Sequence, residues 1–378
     1  MKNDFYQLHL QFQNFMIAKG YAVREREKLV SSIFPTTFTM SGGPDLAYKF
    51  WRGDTSLQGN HIVNQPCIRH WDIDLTGDGK HLSFFNMFVA DSIGGFTRTE
   101  VLGHFLEFFT KQLHLDASRI YATYFAGGEI KGIAFEPDNE VRDILLSLGF
   151  QADHIIPTLL SAPMECFVAN TVEPVGGPRC EFFYDLQESR IALTPAEFWA
   201  AEQTGGVLEF FTHVLYSLEV SVTKTKTGES HFDLTPMSQS AIAAGFGPQR
   251  LMRIFEQVAD IGDISILDNL KGQLGVVPPE LHREAIIMCD HIRGLVFLVH
   301  DGVCELHGSK NRSRKYLFNK YIRNFNNSAE RLSLRNSPVT IANLTDNAID
   351  LFGVLFPEFE AKREYIKETL ADKIASTR

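Results

Sequence analysis

Phe5, Leu8, Phe12 and Phe15 recur at three- and four-residue steps, which predicts an opening helix with one apolar face, closed by Lys19 and Gly20. From about 33 to 90 the pattern changes to short strands broken by Gly and Pro. Helical spacing returns over 99–113, carried by Val101, Leu102, Phe105, Leu106 and Phe109, and over 141–148, where Gly149 ends it. Strands are predicted at 120–125, 181–184, 207–218 and 241–244, and a helix at 248–258. Beyond about 260 the strand signals stop, and helices are predicted at roughly 280–300, 314–326, 344–355 and 358–374. Widely separated strands followed only by helices predict an α+β domain, residues 1–260, and an all-α domain, residues 261–378.

Composition narrows the function classes. Of 378 residues 44% are apolar, enough for a full core, but the best apolar run, 294–299, is short and flanked by Arg293 and His300, so no membrane span is expected. The opening MKNDFYQLHLQF carries an early Asp and no long apolar stretch, so no signal peptide is expected. Five cysteines (67, 166, 180, 289, 304) are scattered without a CxxC, which argues against a disulfide framework or structural zinc and for a reducing, cytoplasmic setting. The formal charge is −10, yet 309–335 hold eight Lys or Arg against one Glu; that local +7 leaves −17 on the rest. A basic patch on an acidic body fits either a polyanion met at one place or a helix with a solvated basic face.

Nucleotide-binding motifs of the common kind are missing. No GxGxxG opens a helix after a strand, no GxxxxGK[ST] occurs, and GGEIKG at 127–132 lacks a phosphate-loop context. A different arrangement is suggested by PCIRHWDIDLTGDGKHLSFFNMF (66–88). It reads as strand, Gly/Asp turn, strand, an antiparallel hairpin with Arg69 ending the first strand and His81, Ser83 and Phe85 alternating on the second. Arg can fork to a phosphate, His can add an anion contact, and a Phe face can stack a purine. The competing reading makes both Phe84 and Phe85 core. A second stretch, IAAGFGPQRLMRIF (242–255), reads as strand, Gly-x-Gly, Pro at a helix start and Arg250 on the first turn, set to point back over the strand end.

These two stretches, in this order, resemble motifs 2 and 3 of the class II aminoacyl-tRNA synthetases, and within them the alanyl-tRNA synthetase family. The likeness extends through FQNFMIAKGYAV (12–23), QPCIR (65–69), KHLSFFNM (80–87), GPRCEFFYD (177–185), LEFFTHVLY (208–216), GFGPQR (245–250), DHIRGLVFLVHDGV (290–303), NRSRKYLFNKYIR (311–323) and LFPEFEAKREYIKETL (355–370). The resemblance implies an antiparallel sheet flanked by helices, followed by a helical acceptor domain. It implies ATP and Mg²⁺, an amino acid or related carboxylate, and tRNA or another acceptor such as a carrier protein or small molecule. By the same resemblance Arg69 would hold the α-phosphate and the carboxylate, and His81 the outer phosphates. Phe85 and Arg250 would sandwich the adenine, Glu209 would help place magnesium, and Asp74 falls where the family keeps a loop Asp.

The departures fall where the amino acid should lie. The family reads alanine with a Trp, an Asn, a Val and an Asp; the matching positions here are Val168, Thr212, Val214 and Ala243, beside Gly245. With Ala243 in place of the acid that neutralises the substrate ammonium, alanine should bind poorly unless another acid moves in. Motif 3 has Gln249 for Glu. On the acceptor side Asn311 matches an acceptor-reading Asn, and Arg314, Lys315, Lys320 and Arg323 follow on a basic helix. That helix spaces Tyr316, Leu317, Lys320, Tyr321 and Phe325 at three and four, which predicts one buried face and a free Lys/Arg face. The family's YDTYGFP segment and its editing and C-terminal domains are not matched, so a trimmed, stand-alone paralogue is expected. Three functions compete: an adenylate-forming ligase, an inactive nucleotide-binding module of the same fold, and plain RNA binding through 309–335.

Overall fold

The structure is a computed structural model that describes residues 5–31, 49–50, 52–130, 133–158, 167–168, 175–187, 192–224, 230–335 and 337–377. The strands expected between 33 and 48 lie outside the described residues, as does the side chain of Val168. The chain opens with helix α1 (Phe5–Ala18) and strand β1 (Ala22–Val23), followed by β2 (Gly59–Ile68), β3 (Phe84–Ile93) and α2 (Arg98–Glu107). Then come β4 (Ile120–Phe125), β5 (Gly128–Ile130), β6 (Ile133–Phe135), α3 (Asn139–Ser147), β7 (Ile155–Thr158), β8 (Phe167–Val168) and β9 (Val175–Asp185). Helix α4 (Pro195–Thr204) leads to the long hairpin β10 (Val207–Lys224) and β11 (Ser230–Phe246), and to α5 (Pro248–Glu256). The remainder is helical: α6 (Asp268–Gly272), α7 (His282–His300), α8 (Arg312–Arg331), α9 (Pro338–Gly353), α10 (Glu358–Ala361) and α11 (Arg363–Ser376).

Local sequence explains the ends of several elements. Thr97 and Glu100 form a reciprocal capping box at the start of α2, and Thr194 and Glu197 do the same for α4. Pro248 opens α5 directly behind Gly247.

The main sheet runs β1-β2-β3-β11-β10-β9-β4-β7, with β8 beside β9. Its centre is antiparallel, as expected; its two edges are not, because β1 joins β2 and β7 joins β4 in parallel. Strands β10 and β11 extend well past the predicted 218 and 241 limits. Beyond the bulge between Tyr216 and Leu218 their pairing continues from Glu219↔Thr235 to Lys224↔Ser230. Backbone pairing carries that extension, so the apolar pattern that marks a strand is weak there.

One face of the sheet is phenylalanine-rich core. Phe12 of α1 packs on Phe88 and Phe246 with ring centroids 5.5 and 5.1 Å away, and Phe105 of α2 stacks on Phe211 at 4.5 Å. Each such buried ring contributes roughly 2–3 kcal/mol of transfer free energy. The core continues without a break into the helical region, where residues 284–300 of α7 are all buried. Gly294 makes this packing close: a Cβ there would meet Tyr321 of α8 at 3.2 Å and Phe84 of β3 at 3.4 Å. Asp290 of α7 accepts hydrogen bonds from the backbone of Ser83 and Phe84 at 3.2 Å and from Arg293 at 3.0 Å, so a buried charge pair ties α7 to the start of β3. The segment after β1 forms a second tie. Arg24 pairs with Asp91 on the sheet, and Arg26 pairs with Asp301 behind α7 at 2.9 Å.

Candidate active site

The opposite face of the central strands is laid out in rows set by register. His61, Asp91, Ala243, Val214 and Arg179 are successive cross-strand partners from β2 to β9. The next row is Val63, Val89, Gly245, Thr212 and Glu181. Beyond it, toward the β2–β3 connection, lie Met87 opposite Gln65 and Phe85 opposite Cys67. Rows on one face are about 7 Å apart along the strands.

The nucleotide-type residues gather at the connection end. Arg69 follows β2, and its backbone N–H donates to the Ser83 carbonyl at 3.0 Å. Its guanidinium lies over the Phe85 ring, 5.0 Å from the centroid. Phe84 is fully buried against Phe297 and Phe352. Phe84 is therefore core, as the competing reading has it, while Phe85 lies on the opposite face beside Arg69.

His81 is not on the second strand, which begins only at Phe84. It sits in the connecting loop, where its Nδ1 meets Asp78 at 2.7 Å and its backbone N–H donates to the same carboxylate. The loop is a series of turns docked on α7. At Gly77, φ is +84° and a Cβ would meet Arg283 at 2.6 Å, so only glycine fits that docking.

Asp72, within this loop, is buried and stands among the charges of Arg69, His81 and Arg250; burial outweighs them and raises its pKa. Arg250 projects from the first turn of α5, donates to the Glu209 carbonyl at 3.0 Å and forms an ion pair with the Glu209 carboxylate. About a quarter of its side chain reaches solvent, but burial and the nearby Arg69 push its pKa down to about 10, still a cation at neutral pH. Gln249 faces the other way, exchanging amide hydrogen bonds with Asn86 at 3.3 Å on the core side. Its replacement of Glu therefore removes no charge from the site face.

Asp74 is placed differently. Its carboxylate is exposed and pairs with Lys320 of α8 at 2.5 Å, and its carbonyl accepts from Arg283. Among the other acceptor candidates, Asn311 donates to the His307 carbonyl, Lys315 is exposed, and Arg323 lies over Tyr316. Arg314 is buried and donates to the Ser31 carbonyl, so it is not part of the free basic face. Tyr316 also departs from the expected helix face: it is 60% exposed, while Leu317, Tyr321 and Phe325 are buried.

In the row expected to hold the amino acid, Val214 and Ala243 are buried with Tyr216 and Ala241 in a small apolar cluster. Gly245 keeps the next row open: a Cβ there would press on Val89 at 3.2 Å. Thr212 donates to the buried Glu181 carboxylate at 3.2 Å, which Arg179 also reaches at 3.3 Å. Burial raises the pKa of Glu181 against these partners. Sequence reasoning passed over three acids: Asp72, Asp91 and Glu181. Glu181 was legible, since it stands inside GPRCEFFYD. Asp72 and Asp91 carried no local signal.

Comparison with known proteins places the chain in a family. The family model described as tRNA synthetases class II (A) matches residues 7–375. An alanine–tRNA ligase of Rubrobacter xylanophilus is 24% identical over 383 residues, 98% of this chain and 41% of that protein. One of Treponema pallidum is 24% identical over 386 residues, 97% of this chain and 59% of that protein. Among solved structures, apo S. aureus histidyl-tRNA synthetase aligns over 76% of this chain and 75% of its own at 13% identity, with a TM-score of 0.38. The chain thus spans roughly a third to three fifths of the length of the curated relatives it matches. With a match running through both the sheet and the helical region, the chain belongs to the class II (A) tRNA synthetase family.

Proposed function

We propose that the chain activates an amino acid or related carboxylate, other than alanine, as an acyl-adenylate and passes it to an acceptor. A carboxylate oxygen of the substrate attacks the α-phosphorus of ATP, the bond to the bridging oxygen breaks, and pyrophosphate leaves. An acceptor nucleophile then takes the acyl group and AMP departs. The observation that carries this reading is the gathering of Arg69, His81 and Arg250 around Asp72, with Phe85 beneath Arg69. Such chemistry needs mainly positioning and charge neutralisation. Arg69 would hold the α-phosphate and the carboxylate, His81 the outer phosphates, and Phe85 with Arg250 the adenine; Asp74 would border the nucleotide from the loop.

Magnesium, when bound, would neutralise phosphate charge. Among the described residues no group of three His, Cys, Asp or Glu forms a cage. Mg²⁺ commonly takes one or two carboxylates and completes its shell with phosphates and water; Glu209 would be the protein's ligand. Arg250 and Glu209 now neutralise each other, so ligand entry has to separate them.

The relatives' name suggests alanine; Ala243, with no acid of its own and packed beside Val214 and Ala241, speaks against it. The acceptor would be tRNA, a carrier protein or a small molecule, met by the region 261–378 through Asn311, Lys315, Lys320 and Arg323, with Arg314 supporting the helix. A division at residue 260 and a cytoplasmic setting complete this reading. The second reading, a nucleotide-binding module without chemistry, draws on Ala243 and the closed Arg250–Glu209 pair. ATP–pyrophosphate exchange with a panel of amino acids separates the two. Exchange with at least one substrate supports the ligase, whereas ATP binding without any exchange leaves the module.

A further inference from the structure

We propose that Asp290 is a positioning residue for the adenylate-forming reaction: from the helical region it sets the backbone that carries Arg69 and Phe85. This rests on the activation reading above and adds to it a residue from beyond 260. Strand β11 pairs with β3 from Phe88 to Ile93, so residues 84–87 of β3 have no strand on that edge among the described residues. Side chains from two helices take its place. The Phe84 N–H donates to Asp290 Oδ1 at 3.2 Å, and the Phe84 carbonyl accepts from Arg293 at 3.1 Å. The Asn86 N–H donates to Gln249 Oε1 at 3.3 Å. Backbone groups that a neighbouring strand would otherwise satisfy are thus satisfied by α7 and α5.

Asp290 also reaches one residue further toward the site. Its Oδ2 accepts from the Ser83 N–H at 3.2 Å and from the Ser83 hydroxyl. The Ser83 carbonyl in turn accepts the Arg69 N–H at 3.0 Å. Ser83 alone therefore separates the Asp290 carboxylate from the Arg69 main chain, and the Arg69 guanidinium extends from there over the Phe85 ring. Phe84, between the two, turns its ring onto Phe297 of α7 at 5.0 Å and leaves Phe85 for the other face. The carboxylate itself is held firmly. It is fully buried, accepts from Arg293 at 3.0 Å, and has the His291 Nδ1 at 3.2 Å. Burial opposes its charge, but these donors keep its pKa below the usual carboxylate value. A carboxylate forks to two successive N–H groups, whereas an amide offers one oxygen and turns a donor toward the other N–H. A buried charge here costs stability that an apolar residue would not, so placement of the strand end is what it supplies.

The test is a double-mutant cycle on the full chain, read in ATP–pyrophosphate exchange per active site and in thermal melting. Asp290→Asn should lower kcat/KM for ATP by about a hundredfold, the size expected when a reacting group is misplaced by about 1 Å. In an Arg69→Ala background it should add little, so that the combined loss falls well short of the product of the two. The two drops in melting temperature should instead add, because a merely structural role does not pass through Arg69. Ser83→Ala removes only the hydroxyl contact; it should cost about tenfold, show the same non-additivity, and decide the matter if Asp290→Asn fails to fold. The proposal is overturned if a folded Asp290→Asn or Ser83→Ala exchanges like wild type, or if the losses multiply in the Arg69→Ala background. If wild type exchanges with no amino acid, the activation reading falls, and the cycle is read in the affinity for a non-hydrolysable ATP analogue. A loss for Asp290→Asn that vanishes in Arg69→Ala would then support the positioning of Arg69 alone. Multiplying losses, or no binding of the analogue by wild type, would overturn it.

Discussion

The proposed nucleotide end and the proposed amino-acid end of this site lie on the same sheet face, three rows apart, yet they are built from different materials. At the nucleotide end Arg69, His81, Glu209 and Arg250 come from three separate segments and remain partly open to solvent. Their charges are balanced by one another and by Asp72. At the proposed amino-acid end Val214, Ala243 and Asp91 are buried, and an apolar centre of Val214 and Ala243 is flanked by two charge pairs, Arg24–Asp91 and Arg179–Glu181. The difference teaches where a pocket can change. Charges that would serve a triphosphate have to match its geometry, which leaves little room for substitution. A buried row can change its apolar members, provided their volume fits and the register keeps them on the same face.

Three measurements would break or sharpen that contrast. The largest effect is expected at the nucleotide end. Arg69→Ala should slow adenylate formation by two to three decades, about 3–4 kcal/mol in the transition state, with little loss of thermal stability. Wild-type exchange in this variant would mean that the cluster around Asp72 is not the reaction centre.

Next comes the pocket row. Alanine should not be the best substrate in ATP–pyrophosphate exchange at matched concentrations, and Ala243→Asp should raise the preference for small α-amino acids by roughly tenfold or more. Alanine clearly leading in wild type would show that Ala243 does not define the row.

The smallest effect concerns the basic helix, which should act apart from both ends. Lys315→Ala, at an exposed position, should lower the salt slope of tRNA affinity by about 0.9 without changing exchange. Arg314→Ala should instead lower the melting temperature, because its buried guanidinium holds the Ser31 carbonyl. An unchanged slope for Lys315→Ala would favour a protein or small-molecule acceptor.

Much of the site could be read before folding. Arg69, Phe85, Glu209 and Arg250 stand in segments whose local pattern is distinctive: a strand end, an aromatic pair, a strand with one acid, a glycine turn into a helix. The helices after 260 were legible because their apolar spacing is strong, and α7 follows the predicted 280–300 closely.

What the sequence by itself determined, then, is family, element order and the residues that local motifs mark. The tertiary structure alone decided that Phe84 goes to the core while Phe85 goes to the site, that His81 belongs to the loop, and that Arg314 is buried under the N-terminal segment. It alone put Asp91 opposite Ala243, two residues that lie far apart in the chain. The physical reason is register. A one-residue slip between β3 and β11 would send Asp91 to the other face, and that alignment is fixed by long-range strand pairing and by the core beneath it, not by spacing along the chain.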